Sequence, residues 1–525
     1  MNQLSDSLPR VSWQSIALAT SFAALFWGVR RTITASTDFW FRDAQFRLYA
    51  PGPPRRFLLG NLLDFPKEKI GDTFSEWARK YGDLVYVDIA GMPMLIVNTY
   101  ELAQELLSKR ANINSDRKVG YMALHLMETE WNLAFIQPGA KHQFMRKMLR
   151  RGIGPQRIAS HDHLIQDRVS ELMVSLLKLK GAPGPTLAST LGSIVISLTY
   201  GEEMWNDFGK ELVDWDNEIM GNISVAFSKF WMVDVFNFLR FIPSWMPGAY
   251  FKKMGIRTAY LNRLVRAKPY ARVLELYESG KLGHCLAADL LDEFGPSEEL
   301  QDTLAALYLA GSETTINLLV SFIHAMFLHP HVADKVYAEI EQVTGGVQPL
   351  QIGDKEKLPY TEAVYKEALR WRPVAPVGLP HVSNKEDTIN GYYIPQGTMI
   401  SQNFGFMLSD PRVWKDPENF RPERFLEDHD PPLPHPASIL FGFGMRVCPG
   451  IYLAERVGFH IAASIVSLFK ILPLEDQTVP RPEDVEYIKN AFVLPRDFQC
   501  RFQPRNHSSK EILGLMEISQ LAKSE

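Results

Sequence analysis

A lone cysteine in a glycine-punctuated loop is the feature that most constrains this chain. Cys448 lies in residues 441–450 (FGFGMRVCPG), directly before an apolar stretch of helical period at residues 451–468. A thiolate at a helix N-terminus is stabilised by unpaired backbone N–H groups and by the helix dipole. Gly444 and Gly450 would let backbone amides approach the sulfur and a bound group. The pattern is compatible with a metal-ligating thiolate, but taken alone a cysteine before a helix favours the alternative, a small buried hydrophobe in a turn.

Composition narrows the class of protein. The chain has 525 residues, 46% hydrophobic and 11% aromatic, which predicts a globular protein of one large or two medium domains. Its three cysteines are Cys285, Cys448 and Cys500. An odd number of widely spaced cysteines argues against a disulfide framework or a four-thiolate zinc site, and favours a reducing compartment. The net charge of -4 provides no basic surplus, so nucleic acid is not an expected partner.

The N-terminal region differs in character from the rest. Residues 11–29 carry no charge, and a helix of that length spans roughly 28 Å, close to the thickness of a bilayer core. A cleaved signal peptide usually begins with basic residues, whereas here the basic pair, Arg30 and Arg31, follows the apolar run. We expect a tail at 1–10, a transmembrane anchor at 11–29 and a linker at 30–50. The alternative is an interfacial helix, because several polar residues interrupt the run.

The remaining chain predicts one large domain at residues 51–525, beginning at the stiff segment 51–54 (PGPP). Apolar periodicity predicts helices at 298–328, 361–372 and 451–468. Residues 84–89 and 94–97 read as a hairpin around 91–93, residues 388–402 read as further strands, and 411–436 is a proline-rich meander. The expected fold class is mostly α with small β-sheets.

The cysteine loop matches every fixed position of the F-G-x-G-x-R-x-C-x-G signature, and the chain therefore resembles the cytochrome P450 family. The resemblance implies the P450 fold with Cys448 as the axial ligand of heme b. Thiolate ligation pushes electron density toward the iron and favours O–O cleavage. It also implies that Phe441 and Gly444 belong to the cofactor-binding loop and that Arg446 pairs with a heme carboxylate.

A second constellation lies upstream of the loop. Glu367 and Arg370 are three residues apart on one predicted helix face, a spacing that alone carries little weight. Residues 420–425 (FRPERF) resemble the meander motif of the family, which would bring Arg424 to the pair. The three residues are expected to be structural, so that their substitution prevents heme loading.

The long predicted helix carries residues 310–315 (AGSETT), with a glycine where helix propensity disfavours one. The run resembles the A/G-G-x-D/E-T motif of the family, which opens a groove for dioxygen. By that resemblance Glu313 and Thr314 are the catalytic residues, orienting water and delivering protons. The alternative is an ordinary helix-packing glycine.

Three further residues are expected at the heme carboxylates. His381 resembles the family position that reaches a propionate, the alternative being a surface histidine. Arg146 matches the arginine of the W-x-x-x-R helix of the family, but His142 stands where tryptophan is usual. Both side chains lie one helical turn apart, so both could donate to propionates.

The resemblance also implies partners. The helix around Arg146 is basic on its outer side, at Lys141, Lys147, Arg150 and Arg151, which suits docking of an acidic NADPH-dependent reductase, with cytochrome b5 as a further electron donor. A solvated helix face is the alternative. The aromatic segment 236–251 would dip into membrane lipid at the endoplasmic reticulum, with the catalytic domain facing the cytosol.

The expected reaction is insertion of one oxygen atom of O2 into a lipophilic small molecule, by hydroxylation or epoxidation. The runs GLPHVS, GYYIPQGT, FRPERF and RVCPGIYLAE resemble fungal microsomal monooxygenases of secondary metabolism, which suggests a terpenoid or polyketide-derived substrate. The alternative is an isomerase or dehydratase that rearranges a hydroperoxide without a reductase; Glu313 and Thr314 favour the monooxygenase. A heme sensor would not need these two residues, and a cysteine hydrolase would need a histidine base beside Cys448.

Overall fold

The computed structural model of the protein describes residues 47–228, 231–489 and 491–524. The predicted tail, the anchor at 11–29 and linker residues 30–46 lie outside these ranges. The α-helices of the described residues are α1 (Ile70–Tyr81), α2 (Tyr100–Ala103), α3 (Ala140–Ile153), α4 (Asp162–Leu177), α5 (Gly184–Tyr200), α6 (Glu202–Ser228), α7 (Met232–Val235), α8 (Tyr250–Glu278), α9 (Leu286–Phe294), α10 (Glu298–Gly311), α11 (Glu313–Leu328), α12 (Pro330–Thr344), α13 (Pro359–Trp371), α14 (Phe404–Met407), α15 (Pro436–Leu440), α16 (Ile451–Leu468) and α17 (His507–Ser524).

Short strands form small sheets beside the helices. The strands are β1 (Leu84–Ile89), β2 (Met92–Val97), β3 (Lys180–Gly181), β4 (His381–Val382), β5 (Asp387–Ile389), β6 (Tyr392–Ile394), β7 (Met399–Gln402), β8 (Phe469–Leu472), β9 (Tyr487–Lys489), β10 (Val493–Pro495) and β11 (Cys500–Pro504). One sheet has the order β1-β2-β7-β4, in which β7 runs parallel to β2 and the other neighbours are antiparallel. The others are β3-β11-β8, β9-β10 and β5-β6. The fold is therefore mostly helical with small sheets, as predicted.

The chain packs against the first sheet before the predicted domain start. Tyr49 stacks on Tyr86 with ring centroids 4.3 Å apart, and the Tyr86 amide donates to the Pro51 carbonyl at 2.9 Å. A Cβ at Gly52 would lie 2.1 Å from the Tyr86 carbonyl oxygen, so only glycine permits this approach. The proline segment lies along β1, and residues 47–50 of the predicted linker already belong to the packed domain.

The main hydrophobic core surrounds α5, α10, α11 and α16. Two helical stretches of the described residues, Glu298–Leu328 and Ile451–Leu468, are long and apolar enough to cross a membrane. Their apolar windows are 72% and 67% buried inside the protein, which is the environment of core helices. These two stretches form the framework on which the candidate site is built.

The predicted helix 298–328 is interrupted. Periodicity continues through it, but α10 ends at Gly311 and α11 begins at Glu313, with Ser312 between them at φ -86° and ψ -68°. Hairpin strands at 84–89 and 92–97, and the helices α13 and α16, form as predicted to within two residues. The interruption falls inside the run singled out by resemblance to an oxygen-binding motif.

The C-terminal residues belong to the same body. Strand β11 pairs with β8, and α17 packs on α4, where Lys178 lies 2.7 Å from Glu517. Residues after 497 are therefore part of the same domain.

Candidate active site

The cysteine loop folds because two glycines adopt conformations that other residues disfavour. Gly442 has φ +80° and Gly444 has φ +56°. A Cβ at Gly444 would lie 2.0 Å from the Leu107 carbonyl oxygen, so the loop and the segment before it approach backbone to backbone. The Cys448 amide donates to the Phe441 carbonyl at 2.7 Å, which closes the loop ahead of α16.

The sulfur of Cys448 is in a mixed environment. Burial raises the pKa of its thiol, while a hydrogen bond from the Gly450 amide and the positive charge of Arg146 oppose that rise. Gly450 is the residue that precedes α16, so the helix start supplies the amide that the sequence pattern predicts. A bound metal ion close to the sulfur would favour its thiolate form.

Arg446 is anchored but has a donor to spare. Its Nε donates to the Ser115 carbonyl and its Nη2 to the Ile136 carbonyl, both at 2.8 Å. Its Nη1 is buried without a hydrogen-bond partner in the described structure. Since a buried guanidinium N–H is costly to leave unpaired, this atom marks a place for an acceptor.

Arg117 joins this cluster, and sequence reasoning missed it. Its Nη1 donates to the Leu379 and Pro380 carbonyls at 2.6 and 2.7 Å, next to His381. His381 is 2% exposed, and its Nδ1 lies 2.7 Å from the Asn114 carbonyl. No local pattern at residue 117 differs from that of a surface arginine, so only the tertiary contacts reveal it.

The charges of this cluster are unbalanced. Burial and the neighbouring Arg446 lower the pKa of Arg117 to about 9, and burial lowers that of Arg446 to about 10. Burial, Arg446 and other arginines lower the pKa of His142 to about 4, while burial and Arg117 lower that of His381 to about 3. Asp116 is the one carboxylate that acts on Arg446 in the opposite direction. The cluster is therefore suited to a ligand that carries additional carboxylates.

Arg146 and His142 lie in α3, beside the cysteine loop. Arg146 donates to the Val447 carbonyl at 2.8 Å, so it also holds the loop in place. His142 is 4% exposed and neutral at physiological pH because of its lowered pKa, which leaves one ring N–H as a donor. The two residues line the same groove as Cys448.

A fully buried ion triad joins α13, which packs on α15 just ahead of the cysteine loop, to the meander. Arg370 donates from Nε and Nη2 to the two oxygens of Glu367, both at 2.8 Å, and Arg424 Nε lies 3.1 Å from Glu367 Oε2. The side chains of Glu367, Arg370 and Arg424 are 0%, 1% and 1% exposed. The other N–H groups of the two arginines donate to backbone carbonyls, including those of Leu408, Pro417 and Lys415. The structure thus brings together the three residues that the sequence selected.

The helix interruption forms the opposite side of the site. Thr314 and Ala310 are exposed, one turn apart, in a stretch that is otherwise mostly buried, which indicates that they face a cavity. The Thr314 hydroxyl donates to the Ala310 carbonyl at 3.1 Å, and the Thr315 hydroxyl donates to the Gly311 carbonyl at 3.2 Å. These bonds occupy carbonyls of the last turn of α10, where the regular ladder ends.

Gly311 serves helix packing. A Cβ at this position would lie 3.3 Å from Val195 Cγ1 of α5, a tight contact. Glu313 is partly buried, and burial raises the pKa of its carboxyl while a hydrogen bond from Asn317 opposes the rise. The distance from Asn317 Nδ2 to Glu313 Oε1 is 3.2 Å. A carboxyl with a raised pKa next to an exposed hydroxyl is equipped to hold and release a proton.

Only some of the basic side chains of α3 are free to contact a docking partner. Lys141 Nζ lies 2.8 Å from Asp302, which is fully buried, and Arg151 lies 3.2 Å from Glu293. Lys147 lies over the ring of Phe294 at 5.1 Å. Arg150 is exposed and lines the groove with Cys448. The predicted docking face therefore loses Lys141, which the structure turns toward α10.

Comparison with known proteins identifies the class. The family model for cytochrome P450 matches residues 50–497. The cytochrome P450 monooxygenases COX2 and COX1 of Coprinopsis cinerea are 31% and 34% identical over 89% and 87% of this chain, and the alignments cover 91% and 92% of their own lengths. The tryptamine 4-monooxygenase of Psilocybe cyanescens is 31% identical over 88% of this chain and 94% of its own.

The chain belongs to the cytochrome P450 family, and it is a monooxygenase, an oxidoreductase that incorporates oxygen. The family implies a heme cofactor, and the residues present fit one. A partly buried thiol at a helix start fits the iron, and the cluster of cations with an unpaired Arg446 N–H fits two propionates.

Proposed function

We propose that this monooxygenase hydroxylates or epoxidises a lipophilic small molecule, using O2 and electrons from an NADPH-dependent reductase, in secondary-metabolite biosynthesis. The observation that carries the proposal is the interrupted helix, which exposes Thr314 beside the partly buried Glu313. An isomerase that rearranges a hydroperoxide has no need of such a proton-donating pair. The similarity to monooxygenases of fungi supports the biosynthetic context.

Each residue of the site has a defined task in this proposal. Cys448 would bind the iron of heme b, and thiolate-bound heme would supply the activation of dioxygen. The unpaired Nη1–H of Arg446 would donate to a heme propionate, and His381, Arg117, Arg146 and His142 would help to hold the two propionates. The loop residues Phe441 and Gly444 would belong to the heme-binding loop.

At the helix interruption, Glu313 would hold a proton, and Thr314 would orient a water molecule that carries this proton into the cavity. Because its pKa is raised, the Glu313 carboxyl stays protonated to a higher pH than the carboxyl of an exposed glutamate. The Thr314 hydroxyl bonds to the Ala310 carbonyl and retains two lone pairs for a water molecule.

The surface supports the proposed membrane and reductase partners. The side chains of Phe238, Phe241, Trp245 and Tyr250 are 66%, 71%, 75% and 68% exposed, and such an apolar aromatic patch suits contact with a lipid interface. Single-pass anchoring by residues 11–29 in the endoplasmic reticulum membrane, with the domain in the cytosol, belongs to the same proposal. Arg150 and Lys147, beside the Cys448 groove, are positioned for an acidic reductase or cytochrome b5.

The first test is spectroscopic. The reduced holoenzyme should show the carbon monoxide difference band of a thiolate-ligated heme, and Cys448→Ser should lose it. Cys500→Ser is the matched control, because Cys500 is a buried cysteine in β11 of the β3-β11-β8 sheet. A normal band in Cys448→Ser would refute the assignment of the ligand.

The second test separates the reaction types. A spectral screen with terpenoids, polyketide-derived aromatics and aromatic amines selects ligands, and each is then incubated with NADPH and a fungal reductase. The proposal requires an oxygenated product that depends on the reductase. The isomerase would be favoured instead if the enzyme converts a lipid hydroperoxide without reductase and converts none of the selected ligands when reductase is present.

A further inference from the structure

Positive charge is concentrated around the aromatic patch, which consists of Phe238, Phe241, Trp245 and Tyr250. Residues 235–274 contain eight lysines and arginines and no aspartate or glutamate, although the whole chain has a net charge of -4. A surface of one sign attracts ligands of the opposite sign. Acids of other elements can neutralise such a run, so the ion pairs decide which of the eight cations remain available.

The five cations that lie farther along α8 are neutralised within the protein. Arg257 pairs with Glu218 of α6 at 2.8 Å. Arg263 pairs with Glu128 at 2.5 Å. The other pairs are Arg266 with Glu298 and Asp302, Lys268 with Glu211, and Arg272 with Asp207. Acids of neighbouring elements therefore hold each of these five cations, and none of the five is left to attract a ligand at the patch.

The three cations beside the patch have no such partner. Arg240, Lys252 and Lys253, the patch cations, form no ion pair among the residues that the structure describes. Arg240 and Lys253 are exposed, and Lys252 is half-buried. Asp234 is the nearest acid in the chain, but its Oδ1 accepts a hydrogen bond from the Met122 amide at 2.8 Å. The patch cations are therefore available to a negatively charged partner.

A short helical turn directs aromatic rings outward. Residues Asn237–Phe241 form a 3-10 helix, in which positions three apart lie on the same side. Phe238 and Phe241 have this spacing, and both side chains are exposed. Leu239, between them, packs into the hydrophobic cluster that contains Met254 of α8. The turn is therefore anchored by one apolar side chain and presents two rings on its outer side.

Hydrogen bonds and ring contacts hold the patch cations at the edge of these rings. Lys252 Nζ donates to the Arg240 and Ile242 carbonyls at 2.9 and 3.0 Å and retains one N–H for another acceptor. The Arg240 guanidinium lies 4.7 Å from the centre of the Phe241 ring. Lys253 lies in the first turn of α8. Apolar rings with cations beside them match a lipid interface, where acyl chains lie next to charged headgroups.

We propose that the aromatic patch and the patch cations form a binding surface for anionic phospholipids. The rings enter the interface, and Arg240, Lys252 and Lys253 bind the negatively charged headgroups. This inference rests on the lipid contact of the proposed function and adds the class of lipid. Each cation close to an anionic membrane raises the affinity about fivefold, and salt screens this gain. A bilayer without net charge would attract only the rings.

Hydrogen exchange of the full-length holoenzyme in vesicles tests the proposal. The vesicles are either pure phosphatidylcholine or an equal mixture of phosphatidylcholine and phosphatidylserine. Amides of residues 236–254 should exchange at least about fivefold more slowly in the mixed vesicles, the gain expected from one cation. The triple variant Arg240→Gln, Lys252→Gln, Lys253→Gln should lose this difference, and so should the parent at high salt. Because Lys252 also holds two carbonyls, the double variant Arg240→Gln, Lys253→Gln should show most of the loss with those bonds intact.

Lys281→Gln is the matched control. Lys281 is an exposed lysine just beyond the other end of α8, which has 29 residues, so it lies about 40 Å along the helix axis from the patch. This variant should keep the full difference between the vesicles, and every variant should keep the carbon monoxide band of the parent.

The outcomes separate the class of lipid from the lipid contact itself. Equal exchange in the two kinds of vesicle, or a difference that survives in the triple variant, overturns the anionic preference and leaves the lipid contact standing. Protection that appears only when the reductase is added assigns the surface to a protein instead. Brominated acyl chains should quench the tryptophan fluorescence that Trp245→Phe lacks, and absence of this quenching refutes the lipid contact.

Discussion

The two sides of the heme site differ in how fully their polar groups are partnered. In the ion triad, both oxygens of Glu367 accept from arginines, and these arginines donate their other N–H groups to carbonyls. At the helix interruption, Glu313 has one side-chain donor, Asn317, and burial raises the pKa of its carboxyl. A saturated network holds a ligand-bearing loop still, whereas spare acceptors and raised pKa values permit protons to move.

The largest expected effect breaks the saturated side. Glu367→Gln leaves two buried guanidinium groups without an anion, which should lower the free energy of unfolding by about 3–5 kcal/mol and prevent heme loading. Urea unfolding and heme content measure both effects. Glu475→Gln is the control, because its pair with Lys180 is 79% and 70% exposed; that loss should stay below about 1 kcal/mol. Equal losses in the two variants would contradict the comparison.

Gly444→Ala should be the next most damaging change. The new Cβ would meet the Leu107 carbonyl at 2.0 Å at a φ of +56°, so backbone must shift and the cysteine loop with it. We expect a loss of about 2–4 kcal/mol and a weakened thiolate band. Gly280→Ala is matched for strain, since Gly280 has φ +67° but open space around it. The clash is excluded as the cause if Gly280→Ala is as harmful.

Acid sensitivity tests the buried histidines of the scaffold. His460 of α16 is 2% exposed, and burial lowers its pKa to about 4. Between pH 6.5 and pH 4, His460 binds a proton in the unfolded chain but not in the folded chain. The free energy of unfolding therefore falls as the pH falls from 6.5 toward 4, and the loss at pH 5 is about 2 kcal/mol. His460→Phe should flatten that part of the profile in thermal melts between pH 5 and 7. His163→Gln, at a side chain 90% exposed, should leave the profile unchanged.

The smallest effect on stability should come from a substitution at the helix interruption. Thr314→Val removes an exposed hydroxyl that bonds the Ala310 carbonyl, so the free energy of unfolding should change by less than about 1 kcal/mol. Product formed per NADPH should nevertheless fall severalfold, because the water has lost its anchor. Thr344→Val is the control, as it removes the same kind of bond, to Ile340, far along the chain. A full yield of product in Thr314→Val would show that the hydroxyl is dispensable.

Much of the fold was predictable because it depends on local patterns. Helix 451–468 and the hairpin at 84–97 follow from apolar periodicity and turn residues, and the structure forms them as predicted. The interruption at Ser312 was not predictable from periodicity, which continues on both sides of it. Lys141 likewise has the pattern of a surface residue, yet it reaches a buried aspartate 161 residues away in the chain.

The cysteine loop and the acid and hydroxyl pair could be found from the sequence because each matches a family motif of residue types at fixed short spacings. Arg424 is 57 residues from Glu367, so the ion triad was expected only from the resemblance to the family's meander motif. Only the tertiary structure added Arg117 to the cation cluster. Segments that are distant in the chain decide whether a charged side chain is buried and whether an opposite charge lies beside it. Neither property can be read from the sequence around the residue. That difference explains why the residues expected to touch the iron and oxygen were found from sequence, whereas those around them were not.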